Sequence, residues 1–231
     1  MSLYLSRLIL NPRMRQVQAE LQRPYEMHRT IMRAFPPLNA PQPKEPRVLW
    51  RLDVDRRTSR IVVYVQSHVE PDWSALAAAH PGYLLDAGEA GVEKNPDCRD
   101  DLDEKYRFHA GQMLSFRLRA NPAKKAPAGR KNNPRVGIIA EEDQLRWLHG
   151  RAMNAGFRVL SASVTREDGP KDMLKGIKHT EAGEHRMSLL AVRYEGLLTV
   201  ADPDAFRKAI FAGIGPGKAF GFGLLSIAPA G

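Results

Sequence analysis

The segment Arg23–Phe35, with the sequence RPYEMHRTIMRAF, carries a phenol, an imidazole and two guanidinium groups close together in the chain. Tyr25 and His28 have the i, i+3 spacing that makes two side chains neighbours on one face of a helix. Arg29 and Arg33 have i, i+4 spacing and form a like-charge pair, which repels unless an anion lies nearby. An imidazole that can transfer protons, placed beside cations that can hold a phosphate, indicates a candidate site for phosphate-ester chemistry.

The same segment also has the features of an ordinary packed helix. Pro24 suits the first helical turn, and Pro36 ends the helix. Met27, Ile31 and Ala34 fall on one stripe, which predicts the buried face. Because a tyrosine and a histidine at this spacing are common on helices, the pair alone does not establish a site.

The charge balance of the chain is strongly basic. Among 231 residues there are 35 Lys and Arg against 26 Asp and Glu, which gives a formal net charge of +9. This excess predicts attraction to a polyanion, with nucleic acid first and an anionic membrane surface second. No apolar stretch approaches the length of about 18 residues that a membrane-spanning helix needs, so we expect no membrane insertion.

Cysteine and histidine usage narrows the possible chemistry. The single cysteine, Cys98, excludes an internal disulfide and is typical of the reducing cytoplasm. The seven histidines form neither an H-E-x-x-H motif nor a Cys/His cluster, so the sequence predicts no metal site.

Both halves of the chain follow the order strand, helix, strand, strand, helix, strand, which is the split βαβ or ferredoxin-like pattern. We therefore expect an α+β protein of two tandem ferredoxin-like domains, which resemble RNA-recognition modules and have antiparallel sheets. The expected divisions are a first domain at 1–90, a linker at 91–110 and a second domain at 111–231. The predicted elements that the structure tests most directly are strand 3–10, the proline-rich loop 35–46, the hairpin 47–67, strand 112–120, the basic loop 121–135, helix 141–155, strands 157–167 and 187–200, helix 203–212 and strand 220–228.

The glycine-rich stretch Gly213–Gly223 is the least ordinary part of the sequence. Its spacing does not fit a P-loop, and it follows a helix and enters a strand, unlike a dinucleotide fingerprint. Closely spaced glycines expose backbone N–H groups that, together with Lys218, favour an anion. A tight turn that only packs explains the glycines equally well.

The glycine-rich turn, as GxGxGKxFGFGL before the last strand, resembles the repeat-associated RNA-binding proteins of CRISPR systems. Three further stretches, YLSRLIL at 4–10, PYEMHRTIMRAF at 24–35 and FRLRANP at 116–122, are similar to the CasE family of CRISPR RNA-processing endoribonucleases, of type I-E systems. The resemblance runs from the first predicted strand to the last.

The resemblance implies a metal-independent, cofactor-free endoribonuclease that cleaves precursor CRISPR RNA at the base of each repeat hairpin. In this chemistry the 2′-hydroxyl attacks the phosphorus and leaves a 2′,3′-cyclic phosphate, and the enzyme retains the mature guide RNA. His28 matches the catalytic histidine of the family, and Tyr25 matches its tyrosine and orients the imidazole or the phosphate. The implied partners are the repeat stem-loop and the other subunits of a type I-E surveillance complex.

The expected RNA-binding residues are basic side chains and glycines outside the Tyr25 and His28 pair. A solvated charged loop is the alternative for the lysines in the insert 168–186. Two other functions remain open, a non-catalytic RNA-binding subunit of a CRISPR complex and a basic scaffold for any polyanion. The expected RNA-binding residues are Arg29, Arg33, Lys124, Lys171, Lys175, Lys178, Arg186, Gly215, Gly217 and Lys218.

Overall fold

The computed structural model describes residues 2–36, 48–55, 58–102, 106–126, 135–166, 174–180 and 183–230. From 166 to 188 only the backbone of the strands is described. The predicted proline-rich loop, from residue 37 on, and residues 127–134 of the predicted basic loop lie outside these ranges.

The chain forms two compact units. Unit 1 comprises Met1–Tyr106 together with Ala219–Gly221, and unit 2 comprises Arg107–Lys218 together with Phe222–Gly231. Each contains a four-stranded antiparallel sheet with its own helices, and the prediction of two tandem ferredoxin-like folds is confirmed.

The sheet of unit 1 has the strand order β2-β3-β1-β4, in which every neighbouring pair is antiparallel. Two helices follow the first strand, and two short helices follow the third. The elements are β1 (Tyr4–Leu10), α1 (Arg15–Leu21), α2 (Pro24–Ile31), β2 (Leu49–Asp55), β3 (Arg60–Ser67), α3 (Trp73–Ala79), α4 (Ala87–Ala90) and β4 (Asp97–Arg99).

The sheet of unit 2 repeats this order as β12-β5-β11-β8. Two small hairpins, β6 with β7 and β9 with β10, accompany it. Its elements are β5 (Met113–Ala120), β6 (Ala123–Lys125), β7 (Arg135–Gly137), α5 (Glu141–Asn154), β8 (Phe157–Arg166), β9 (Leu174–Thr180), β10 (Gly183–Leu189), β11 (Val192–Val200), α6 (Pro203–Ala212) and β12 (Leu225–Pro229).

The core of unit 1 fixes the orientation of α2. Met27, Ile31 and Ala34 are 0%, 1% and 2% exposed, so the predicted buried stripe is confirmed. They belong to one apolar cluster with Trp50 of β2 and Val63 of β3. Burying a methionine or isoleucine side chain contributes roughly 1.5–3 kcal/mol, and burial of Met27 and Ile31 turns the opposite faces of α2 away from the core.

The structure corrects three of the predicted boundaries. Residues 97–99, predicted as linker, form β4, which pairs with β1, and Arg7 of β1 is 3.2 Å from Asp97 in an ion pair. This strand is too short and too polar for an alternating pattern to reveal it. The predicted strand 187–200 is instead the end of β10 and the whole of β11, because the chain leaves β10 at Leu189 and joins another sheet at Val192.

The predicted strand 220–228 begins later, at Leu225. Gly221 and Gly223 have φ angles of +77° and +96°, which no extended strand accommodates. The residues before them, Lys218–Phe220, form a 3₁₀ turn instead. Among the described helices, none is both long enough and apolar enough to cross a membrane.

Candidate active site

Helix α2 presents the tyrosine and the histidine side by side. With Pro24 in its first turn and Met27 anchored in the core, the Tyr25 and His28 rings lie 6.1 Å apart between centroids, tilted by 42°. The ring of Phe220, which belongs to unit 1, lies 5.6 Å from that of Tyr25. The phenol ring therefore has two ring neighbours, the imidazole of His28 and the phenyl ring of Phe220.

The imidazole of His28 is largely removed from water. Its Nδ1 is buried and has no hydrogen-bond partner among the described residues. Desolvation lowers the pKa of His28 to about 4, because burial penalises the charged ring. His28 is thus a neutral imidazole at pH 7, the form in which a ring nitrogen can accept a proton.

A pocket of about 480 Å³ opens beside this ring. Tyr25, His28, Arg29 and Arg33 all line it, so the structure brings together the four side chains singled out in the segment Arg23–Phe35. The remaining polar part of its wall consists of Gln16, Glu20, Glu26, Thr30 and His80.

The two arginines of the pocket have different surroundings. Arg29 Nη1 lies 3.0 Å from Glu26 Oε2, one turn earlier on α2. Glu26 therefore supplies the anion that relieves the repulsion between Arg29 and Arg33. Within the described part of the chain, Arg33 is exposed and forms no ion pair, so its charge is available to a ligand.

A buried carboxylate ties α1 to α2 beneath the pocket. Glu20 is 4% exposed and accepts hydrogen bonds from Tyr83 Oη at 2.5 Å, Thr30 Oγ1 at 2.7 Å and Gln16 Nε2 at 2.8 Å. Burial, and then the charge of Glu20, raise the pKa of Tyr83, so its hydroxyl stays protonated and donates. A buried charge that is satisfied in this way holds Thr30, and with it the helix that carries His28.

We expect Tyr83→Phe to lower the free energy of unfolding by about 2 kcal/mol, because it removes one donor from a buried carboxylate. Urea denaturation at pH 7 measures the loss. Tyr64→Phe is the matched control, since the Tyr64 hydroxyl has no hydrogen bond among the described residues, and it should change stability by less than about 0.5 kcal/mol. If Tyr83→Phe and Tyr64→Phe lowered the free energy of unfolding equally, the role given to Glu20 would be contradicted.

Sequence reasoning missed the polar half of this pocket. Gln16 and Glu20 lie at i, i+4 on α1, a spacing that allows side-chain pairing but does not signal a site. Tyr83 and His80 reach the same cluster from the loop after α3, more than 60 positions away along the chain. Only the fold brings these residues together.

The other predicted RNA-binding residues lie in unit 2. Lys124 is exposed on β6. Lys175 and Lys178 lie on β9 and Arg186 lies on β10, in a regular antiparallel hairpin whose side chains are not described. Lys171 lies outside the described residues.

The glycine-rich stretch has a packing explanation within unit 2. A Cβ on Gly215 would lie 2.9 Å from the Trp147 ring, and one on Gly217 would lie 2.9 Å from the Phe222 ring. Lys218 Nζ donates a hydrogen bond to the Gly215 carbonyl oxygen at 3.0 Å. These contacts account for glycine at both positions, and RNA binding by this turn stays a prediction.

The tandem ferredoxin-like fold and the histidine pocket agree with the family comparison. Residues 3–229 match the model of the family described as CRISPR associated protein, and the chain belongs to this family, among the homologues of Cse3 and CasE. It is 38% identical to the CRISPR-associated endoribonuclease Cse3 of Thermus thermophilus, over 98% of this chain and 100% of that one.

A solved structure and one further relative extend the comparison. The structure of Thermus thermophilus Cse3 bound to an RNA representing a pre-cleavage complex superposes with a TM-score of 0.76 at 33% identity, covering 99% of this chain and 100% of that one. The Cascade subunit CasE of Escherichia coli is 30% identical over 54% of this chain and 62% of its own length.

Proposed function

We propose that this chain is a metal-independent, cofactor-free endoribonuclease of the cytoplasm. It cleaves precursor CRISPR RNA at the base of each repeat hairpin and keeps the mature guide RNA. Its full-length similarity to an endoribonuclease supports the class of activity. The observation that carries the assignment of the site is the neutral imidazole of His28, placed beside Tyr25 in a pocket lined by arginines.

The cleavage step follows from the protonation state of this imidazole. His28 accepts the proton of the 2′-hydroxyl, and the 2′-oxygen attacks the adjacent phosphorus. The bond from phosphorus to the 5′-oxygen breaks, and that oxygen takes up a proton from water, while His28 later returns its own proton to solvent. The products are a 2′,3′-cyclic phosphate and a 5′-hydroxyl.

The neighbouring side chains orient and stabilise the phosphate during this step. Tyr25 positions the imidazole or the phosphate from one side of the pocket. Arg33 offsets the negative charge that develops on the phosphate oxygens. Arg29 also contributes, although it is paired with Glu26.

Binding of the repeat stem depends on the basic surface of unit 2. Phosphate contacts and shape dominate the recognition of an RNA helix, because its major groove is too narrow for side chains to read. Retention of the product carries the protein into a type I-E surveillance complex with the other subunits. The residues assigned to stem and backbone contacts are Lys124, Lys171, Lys175, Lys178, Arg186, Gly215, Gly217 and Lys218.

The repeat hairpin encoded beside the gene tests this function directly. We expect the protein to cut it once at the base of the stem and to leave a 2′,3′-cyclic phosphate. The matched control is the same RNA with a single 2′-deoxynucleotide at the cleavage position, which should bind equally and stay intact. Binding of both RNAs without cleavage would instead favour a non-catalytic RNA-binding subunit.

Removal of divalent metal should leave the reaction unchanged. We expect the single-turnover rate in excess EDTA to stay within about twofold of the rate in Mg²⁺ when total ionic strength is matched, because the proposed step uses only side chains. Matching the ionic strength matters because RNA affinity itself depends on salt. Loss of cleavage in EDTA that Mg²⁺ restores would contradict the proposed mechanism.

A further inference from the structure

A second histidine lines the pocket that contains His28. His80 follows α3 directly, is half-buried and forms part of the same wall. No motif marks it in the sequence, and it belongs to a different element from the proposed catalytic pair.

The hydrogen bonds around Gln16 fix the state of the His80 ring. Gln16 Nε2 faces Glu20 Oε1 at 2.8 Å and Thr30 Oγ1 at 3.3 Å, and because Thr30 gives its own proton to Glu20, both oxygens accept here. The amide must therefore turn its Oε1 towards His80 Nδ1, which lies 3.0 Å away. An amide oxygen only accepts, so Nδ1 carries a hydrogen.

This arrangement leaves Nε2 as the reactive atom of the His80 ring. Within the described part of the chain, Nε2 has no hydrogen-bond partner, so the ring can donate from it when protonated. The fixed tautomer resembles that of metal-bound or catalytic histidines, whose second nitrogen is held by a neighbouring acceptor.

The formal charges in the pocket wall indicate what His80 Nε2 could contact. The formally charged side chains in the wall are two carboxylates, Glu20 and Glu26, and two guanidiniums, Arg29 and Arg33. Their charges cancel, and the buried His28 ring is neutral. Arg33 therefore offsets only part of the negative charge that a phosphodiester gains in the transition state, and His80 Nε2 is a further nitrogen in the same wall that can contact the phosphate.

We infer that His80 is a second functional histidine, which donates a hydrogen bond from Nε2 to an oxygen of the RNA phosphodiester bound beside His28. This inference rests on the proposed function. Gln16 is the positioning residue, because it sets the tautomer through its link to Glu20. The bond stabilises the charge on the phosphate as the 5′-oxygen departs.

Two amide substitutions separate this role from a purely structural one. His80→Asn keeps a donor near the position of Nδ1, towards Gln16, and lacks one at Nε2. His80→Gln places its amide near Nε2 and lacks the contact with Gln16. His80→Ala removes both, and His149→Asn on the exposed surface of α5 is the control for the substitution itself.

Single-turnover cleavage of the repeat hairpin is measured for all four variants, with affinity for the 2′-deoxy hairpin and the circular dichroism melt as parallel readouts. We expect His80→Asn and His80→Ala to cleave about 10- to 100-fold more slowly than wild type, as for loss of one donor to a developing oxyanion. His80→Gln should be at least about fivefold faster than His80→Asn, and His149→Asn should match wild type.

The inference is overturned if His80→Asn keeps the wild-type rate, or if His80→Gln is no faster than His80→Asn. His80→Asn keeps the contact with Gln16, whereas His80→Gln keeps a donor near Nε2. If His80 acted only through its contact with Gln16, His80→Asn would therefore cleave faster than His80→Gln. A wild-type protein that fails to cut the hairpin would contradict the proposed function, whereas cutting by wild type and His80→Asn alike contradicts only the role of His80.

Discussion

His28→Ala should slow cleavage of the repeat hairpin by about 10³-fold or more while leaving affinity for the RNA within about threefold of wild type. Loss of a general acid or base typically costs about 10²- to 10⁴-fold, and His28 is the one neutral imidazole placed beside Tyr25 in the described pocket. Under the proposed function, phosphate contacts elsewhere supply most of the binding energy, and the substitution does not touch them. Single-turnover kinetics and filter binding with the 2′-deoxy hairpin measure the two quantities.

Two controls separate chemistry from folding in this experiment. His149→Ala removes an exposed imidazole from α5 and should retain the wild-type rate. Added imidazole should restore part of the activity of His28→Ala, because the substitution enlarges a pocket that already has a volume of about 480 Å³. A His28→Ala protein that melts like wild type and cleaves at more than a tenth of its rate would refute the assignment.

Acidification should destabilise the protein through His28, by about 3 kcal/mol between pH 6.5 and pH 4. Desolvation lowers the pKa of His28 from 6.5 to about 4 in the folded chain, so the unfolded chain binds a proton first. The free energy of unfolding therefore falls as pH drops through this window, by about 1.4 kcal/mol per pH unit. Above pH 6.5 the ring is neutral in both states and contributes no pH dependence.

The comparison with His28→Ala isolates this contribution from the carboxylates that titrate in the same range. Urea denaturation is performed at intervals from pH 4 to pH 7.5 on both proteins. The difference in the free energy of unfolding between wild type and variant should shrink steadily below pH 6.5. The exposed control His149→Ala should keep the wild-type slope, and parallel curves for wild type and His28→Ala would contradict the buried, neutral state of this ring.

The local features of the site could be predicted because they depend on one helix. The spacing of Met27, Ile31 and Ala34 defines a buried stripe, and helical geometry then makes Tyr25 and His28 neighbours. The ferredoxin-like order of elements could also be predicted, since strands and helices differ in hydrophobic period over most of the chain. The short, polar strand β4 and the turn before β12 could not be predicted in this way, because neither has a recognisable hydrophobic period.

The sequence by itself therefore determined the fold class and the adjacency of the phenol and the imidazole. Tertiary structure alone decided the chemical state of that imidazole, because its pKa is lowered by burial in the folded chain. It also decided which polar groups share the pocket. Glu20 meets Tyr83, and Gln16 meets His80, across separations of 63 and 64 residues. Contacts at such distances follow from the packing of α1, α2 and the loop after α3, and no local pattern encodes them.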